Sequence, residues 1–228
     1  MKLSKRLEAL CDLVPNGSNI IDVGADHALT SIYLNKNKNC RVLATDISEK
    51  CLTKAKENIK KHNATVDLLV TDGLNKIKLD KQIIIISGMG THTILKILDK
   101  KLTNDLIISS NNDIPLLKKQ LHKKGYHIYD EKVIYDKHYY VITYYKYGKN
   151  KMDYYISSYY TKDYLKCLLK NYSLKYKYEK SIYRKFEYKN LIKKIKKAIH
   201  KNWYFKYQFF YTKKVGPYSS LVTLFFSS

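Results

Sequence analysis

The stretch Asn19-Ile20-Ile21-Asp22-Val23-Gly24-Ala25-Asp26-His27 decides the architecture. Asn19–Val23 is a short run rich in β-branched residues, it leads directly into Gly24, and residues 28–36 behind it have a helical pattern. A strand that passes through a glycine turn into a helix is the opening unit of a parallel α/β sheet. One glycine at that point lets backbone approach a ligand closely, and the next helix offers unpaired N–H groups. The dinucleotide fingerprint needs three glycines in GxGxxG, and here only Gly24 is present, so a pyrophosphate cofactor is disfavoured. A cofactor without phosphate but with a cationic methionine end suits the two carboxylates, Asp22 and Asp26. The bland alternative is a strand end that binds nothing.

The flanking segments extend this unit. Upstream, Leu3, Leu7, Leu10 and Val14 recur at helical spacing, with Ser4 as N-cap and Pro15-Asn16-Gly17 as the stop. Downstream come a strand over Arg41–Asp46, a helix over Glu49–His62, a strand over Val66–Val70 and a fully apolar strand over Ile83–Ile86. The last of these reads as central in a parallel sheet, because both of its faces must be covered. Helical pattern resumes after Gly90, Leu106–Ser109 is a fifth strand, and Leu116–Lys124 is a helix closed by Gly125. Tyr126–Ile134 and Tyr139–Tyr147 are separated by Tyr135–His138 alone, too few residues for a crossover, so they pair antiparallel. The fold class expected is a doubly wound α/β sheet with one antiparallel strand, and its ligand site lies at the carboxyl ends of the strands where their order reverses.

Charge and composition divide the chain. Of its 228 residues, 1–150 carry 25 basic and 16 acidic side chains, whereas the remainder carry 18 and 4. Seven of the eight glycines lie at or before Gly148, and tight turns belong to an α/β domain rather than to a helical appendage. A boundary is therefore expected near Gly148–Met152. It leaves a domain over residues 1–150, a basic helical pair over 151–202 and an aromatic, strand-like tail over 203–228. In the pair, Tyr164, Leu168 and Tyr172, then Tyr188, Ile192, Ile195 and Ile199, recur at three- and four-residue spacing with lysines between. Lys162, Lys166, Lys170, Arg184, Lys185, Lys193, Lys194, Lys196 and Lys197 are its candidate contacts to a phosphate-bearing polyanion such as RNA. A solvated helix face is the ordinary alternative for such a run.

The net charge of +23 attracts polyanions and is silent about fold. The N-terminal MKLSKRLEAL lacks the apolar run of a signal peptide, and no segment approaches the roughly 18 apolar residues of a membrane span. Cys11, Cys40, Cys51 and Cys167 show no ligand spacing, so neither a disulfide framework nor a metal site is expected, and a cytoplasmic location is.

Three further positions follow the order of the strands. Asp46 closes the second strand at about the separation from the glycine turn at which an acid accepts both hydroxyls of a ribose; a solvent-facing aspartate is the alternative. Asp72, in Thr71-Asp72-Gly73, can accept from an adenine amino group, although Asp-Gly is also a plain turn. Ser87-Gly88-Met89-Gly90 follows the most buried strand; its glycines let backbone face cofactor and substrate, and Met89 can pack against a base.

Together these residues resemble the bacterial tRNA (adenine-22-N1)-methyltransferases. The resemblance spans about residues 1–148 and rests on DVGADHA with the preceding LSKRLEALCDLVPNGS, the GMG turn, and the terminal hairpin containing Tyr139. It implies a class I methyltransferase domain followed by a helical coiled-coil domain, S-adenosylmethionine as cofactor and tRNA as partner. Carried over residue by residue, Asp22, Gly24, Asp26, His27, Asp46, Asp72, Gly88, Met89 and Gly90 fall at cofactor-pocket positions. Two departures stand out. The family's GMGG is here Gly88-Met89-Gly90-Thr91, and its Gln-Pro-Asn after the fifth strand is Ser109-Ser110-Asn111, where only Asn111 matches. Asp26 and Asn111 are the candidates near the reacting base; His27 is a general base or, more simply, a packing residue. The competing readings are a methyltransferase acting on another RNA or a protein, and a non-catalytic RNA-binding module. A nicotinamide-linked oxidoreductase is disfavoured by the glycine pattern.

Overall fold

Parallel strands covered on both faces must carry apolar side chains on alternate sides. In the computed structural model, which describes residues 1–148 and 156–214 (backbone alone over 202–214), the fourth strand shows this most plainly. Ile83 and Ile85 enter one core with Leu10, Val14, Leu34 and Val42, while Ile84 and Ile86 enter a second core with Ile94, Leu98, Leu117 and Leu121. These cores lie on the two faces of one seven-stranded sheet.

The elements are α1 (Lys5–Asp12), β1 (Asn19–Val23), α2 (Leu29–Lys38), β2 (Arg41–Asp46), α3 (Glu49–Lys61), β3 (Val66–Val70), β4 (Ile83–Met89), α4 (Thr91–Ile97), β5 (Leu106–Ser110), α5 (Ile114–Lys123), β6 (Tyr126–Asp136) and β7 (His138–Tyr147). The strand order is β3-β2-β1-β4-β5-β7-β6. β1 to β5 pair in parallel, and β7 is antiparallel to both β5 and β6. The order therefore reverses between β1 and β4, and a crevice is expected beyond their carboxyl ends. The expected doubly wound sheet with one antiparallel strand is what forms, and Ser4 caps α1 as read, its Oγ accepting from Leu7 N at 3.4 Å.

The chain divides into two compact units, with Tyr159 the last residue of the first and Tyr160 the first of the second. Most of the boundary expected near Gly148–Met152 lies outside the described residues. In the second unit, Thr161 caps α6 (Lys162–Tyr178), and Glu179–Ser181 leads into α7 (Ile182–Lys214). The two helices pack together, with the Tyr172 and Tyr188 rings 5.7 Å apart. Strand-like character for residues 203–214 is overturned, because α7 continues through them. The aromatic bias that suggested strand is a weak preference, and helix growth adds a hydrogen bond per residue until a breaker intervenes. No Gly or Pro occurs between Ile182 and Lys214. Residues 215–228 of the expected tail lie outside the described residues. Among the described residues, no helix is long and apolar enough to cross a membrane.

Candidate active site

The crevice is there, with a volume of about 330 Å³. Its walls come from the ends of four consecutive parallel strands: Val23 and Gly24, Asp46 and Ile47, Thr71 to Asn75, and Met89. Thr93, Lys96 and Ile97 of α4, with Lys100 beyond it, complete the lining. Sequence reading missed this last group, although Thr93, Lys96 or Ile97, and Lys100 recur at helical spacing directly after the GMG turn.

Backbone geometry at the β1 turn is specific. Gly24 N and Ala25 N both donate to the Thr45 carbonyl, at 2.8 and 2.9 Å, so the turn hangs from the end of β2. Gly24 has φ +72°, and a Cβ there would collide with Met89 Cε. The dihedral favours glycine there, and any larger residue would also have to push aside the terminal methyl of the Met89 side chain lying across the turn. Asp26 and Ala28 also take left-handed φ values, 50° and 55°. Such conformations cost of order 1–3 kcal/mol each and persist where surrounding structure imposes them.

Asp46 links this turn to the next. Its Oδ2 accepts from Asp26 N at 3.1 Å and its Oδ1 from Ser48 N at 2.9 Å. Each carboxylate oxygen has two lone pairs, so one on each remains for a ligand diol. Asp72 lies in a turn closed by Asn75 N donating to its carbonyl, and Lys100 Nζ ties that turn down by donating to Asn75 Oδ1 at 3.0 Å.

The structure separates the expected residues into groups. Gly24, Asp46, Asp72 and Met89 line one crevice. Asp26 joins it only through its backbone bond to Asp46, and its side chain is exposed. His27 does not line the crevice; its Nδ1 lies 3.5 Å from Asp26 Oδ1 and its carbonyl accepts from Asn58 Nδ2. Asp22 is buried, accepting from Ser31 Oγ at 2.6 Å, and does not line the crevice either. Burial pushes its carboxyl up to about 6; the Asp46 charge acts in the same direction and the Ser31 bond opposes it. Gly88 and Gly90 flank Met89. Asn111 Nδ2 donates to Gly88 O at 2.7 Å, and Asn111 N to Met89 O at 2.9 Å. The lysines and Arg184 assigned to RNA stand in the second unit, mostly exposed, with Lys162 half-buried.

The two departures from the family pattern meet. Buried Thr91 places its Oγ1 2.9 Å from Ser110 Oγ and donates to Asn112 O at 2.6 Å, while Asn112 Oδ1 accepts from Thr91 N. The Thr91 hydroxyl at the start of α4, where the resemblance puts glycine, is therefore partnered by the Ser110 hydroxyl at the end of β5, where it puts proline. The loops carrying Met89 and Asn111 are held together by these bonds.

Comparison with known proteins agrees with this architecture. The chain matches the family model described as a methyltransferase domain over residues 3–143. It is 33% identical over 143 residues to the tRNA (adenine(22)-N(1))-methyltransferase of Bacillus subtilis (strain 168), a match that covers 59% of this chain and spans about 60% of that relative's length. Among solved structures it resembles M. capricolum TrmK in complex with S-adenosyl-homocysteine, with TM-score 0.73 and 28% identity over 88% of this chain and 99% of that one. The B. subtilis m1A22 tRNA methyltransferase TrmK is similar with TM-score 0.73 and 25% identity, covering 87% and 99%. With its sheet order, its crevice at the β1/β4 reversal and a family match over more than half its length, the chain belongs to the methyltransferase-domain family.

Proposed function

We propose that this protein transfers a methyl group from S-adenosylmethionine to N1 of adenine 22 in tRNA, in the cytoplasm. The observation that carries the reading is the crevice itself. It has an acid with spare lone pairs at the ribose position, apolar Ile47 and Leu74 beside it, and a glycine turn without the three glycines a pyrophosphate needs. That donor set fits a phosphate-free nucleoside cofactor. Asp46 would hold the ribose, Asp72 the adenine amino group, and the Gly24–Met89 contact would floor the methionine end. Asp22, Asp26, His27, Gly88 and Gly90 shape that floor from behind or beside it.

Bound there, S-adenosylmethionine supplies a methyl carbon whose bond to sulfur breaks, the electron pair going to sulfur, as the new N–C bond forms. Adenine N1 already carries a free lone pair, so no base need act first. What the chain contributes is orientation, which can supply most of the rate acceleration. Asn111 is placed for this. Its Nδ2 is committed to Gly88 O, which leaves Oδ1 to accept from the adenine amino group beside N1. Asp26, exposed at the edge of the turn, can offset positive charge that develops on the ring. The cationic faces of α6 and α7 serve as a phosphate-contacting arm, which positions RNA without reading its sequence.

Purified protein incubated with tRNA and labelled S-adenosylmethionine, followed by base-by-base mapping, tests the reading. Methylation at adenine N1 supports it; label in another RNA position or in protein would replace the substrate. Asp46→Ala should weaken S-adenosylmethionine binding in calorimetry by roughly ten- to a hundredfold, as expected on losing hydrogen bonds donated to a charged carboxylate. Unchanged affinity would remove Asp46 from the pocket.

A further inference from the structure

The chain has 43 basic side chains, and all but Arg6, Arg41 and Arg184 are lysines. Arginine differs from lysine by its rigid planar fork of five donors, which suits bidentate contact with an oxyanion. Arg6 is the one built into the methyltransferase unit beside the crevice. From α1, its Nη1 donates to Ser87 Oγ at 2.7 Å, and its guanidinium carbon lies 5.4 Å from the centre of the Tyr140 ring of β7. A Cβ placed on Gly88 would stand 3.9 Å from the same nitrogen. Side chains from β4 and β7 thus hold this cation against Gly88, one residue before the Met89 that crosses Gly24. It stands beside the crevice and is not part of its lining.

Arg6 is half-buried, and among the described residues it forms no ion pair with a carboxylate. A partly desolvated guanidinium whose polar partner is one neutral hydroxyl has donors to spare and lacks a counter-charge. Asn111, which donates to the carbonyl of the neighbouring Gly88, marks the side on which the target base would lie. We infer that Arg6 is a substrate-binding residue that grips a backbone phosphate flanking the target adenosine, with Ser87 and Tyr140 holding its fork in position. The inference rests on the reading of the chain as an RNA methyltransferase, and it assigns to α1 a role separate from that of the basic helices.

The full-length chain tests it with tRNA and S-adenosylmethionine as probes. Arg6→Gln should leave cofactor affinity within about twofold, lower tRNA affinity by about tenfold near 0.1 M salt, and reduce the slope of log affinity against log salt by about one. Arg6→Lys, which keeps the charge, should restore the slope but not the whole affinity. In the unmutated protein, tRNA should protect Arg6 from phenylglyoxal, read by mass spectrometry, whereas S-adenosylmethionine should not; this measurement stands even if a variant fails to fold. An unchanged salt slope in a folded Arg6→Gln, or modification of Arg6 unaffected by tRNA that is itself bound and methylated, overturns the assignment. If the unmutated chain neither binds nor methylates tRNA, the functional reading fails instead, and the assignment of Arg6 falls with it.

Discussion

Asp22→Asn should stabilise the protein at pH 8 far more than at pH 4.5. Asp22 is 5% exposed, and its carboxyl is raised from 3.8 to about 6, chiefly because burial disfavours the charge. Between these values the folded protein holds a proton that the unfolded chain has released. Stability is therefore lost as pH rises through that window, and the deficit levels off above pH 6. A shift of about two units corresponds to roughly 3 kcal/mol at pH 8, of which only about 1 kcal/mol has accrued by pH 4.5. Asparagine is nearly isosteric and can still accept from Ser31 Oγ, but it carries no charge. Its extra amide protons bring a packing cost of their own, which cancels when the two pH values are compared. Urea titrations of both proteins should show the variant gaining about 2 kcal/mol more at pH 8 than at pH 4.5. An equal effect at both would mean that Asp22 is not held protonated by burial. If the variant also loses S-adenosylmethionine affinity, the buried charge serves the cofactor and its cost is maintained for function.

Gly24→Ala should destabilise by about 1–2 kcal/mol from its left-handed φ, because the Met89 methyl at the end of its flexible side chain can move aside. Denaturant melts that show no loss of stability would refute the left-handed turn at Gly24. In the full chain, replacing Lys193, Lys194, Lys196 and Lys197 by Gln should leave S-adenosylmethionine affinity intact while tRNA affinity falls and the salt slope drops by up to about 3. Equal tRNA affinity at every salt concentration would make these side chains an ordinary solvated helix face.

The sheet and its ligand end were legible in local sequence pattern. Periodicity, the glycine turn after Val23 and the spacing too short for a crossover between Tyr126–Ile134 and Tyr139–Tyr147 are local signals, and they placed each strand within a few residues of where it lies. The same signals brought Gly24, Asp46, Asp72 and Met89 into one crevice, because successive parallel strands present their carboxyl ends on one edge. Local preference failed where cooperative growth outweighed it, in the continuation of α7 through the aromatic residues up to Lys214.

Tertiary structure alone decided which polar residues face a ligand and which face one another. Asp22 reads like Asp46 in sequence, yet the fold turns it onto Ser31 and away from the crevice. Thr91 and Ser110 are 19 residues apart, and pairing of β4 with β5 makes them partners. Lys118 and Glu131 look like surface charges, yet both are fully buried with Nζ 2.7 Å from Oε2. Arg6 sits 81 residues from Ser87 and passed unnoticed in a helix read only for its apolar stripe. Periodicity reports which face of an element is apolar; it contains nothing about which polar groups a long-range contact will bring within hydrogen-bonding distance. That distance depends on strand order and register, which are set by packing of the whole sheet.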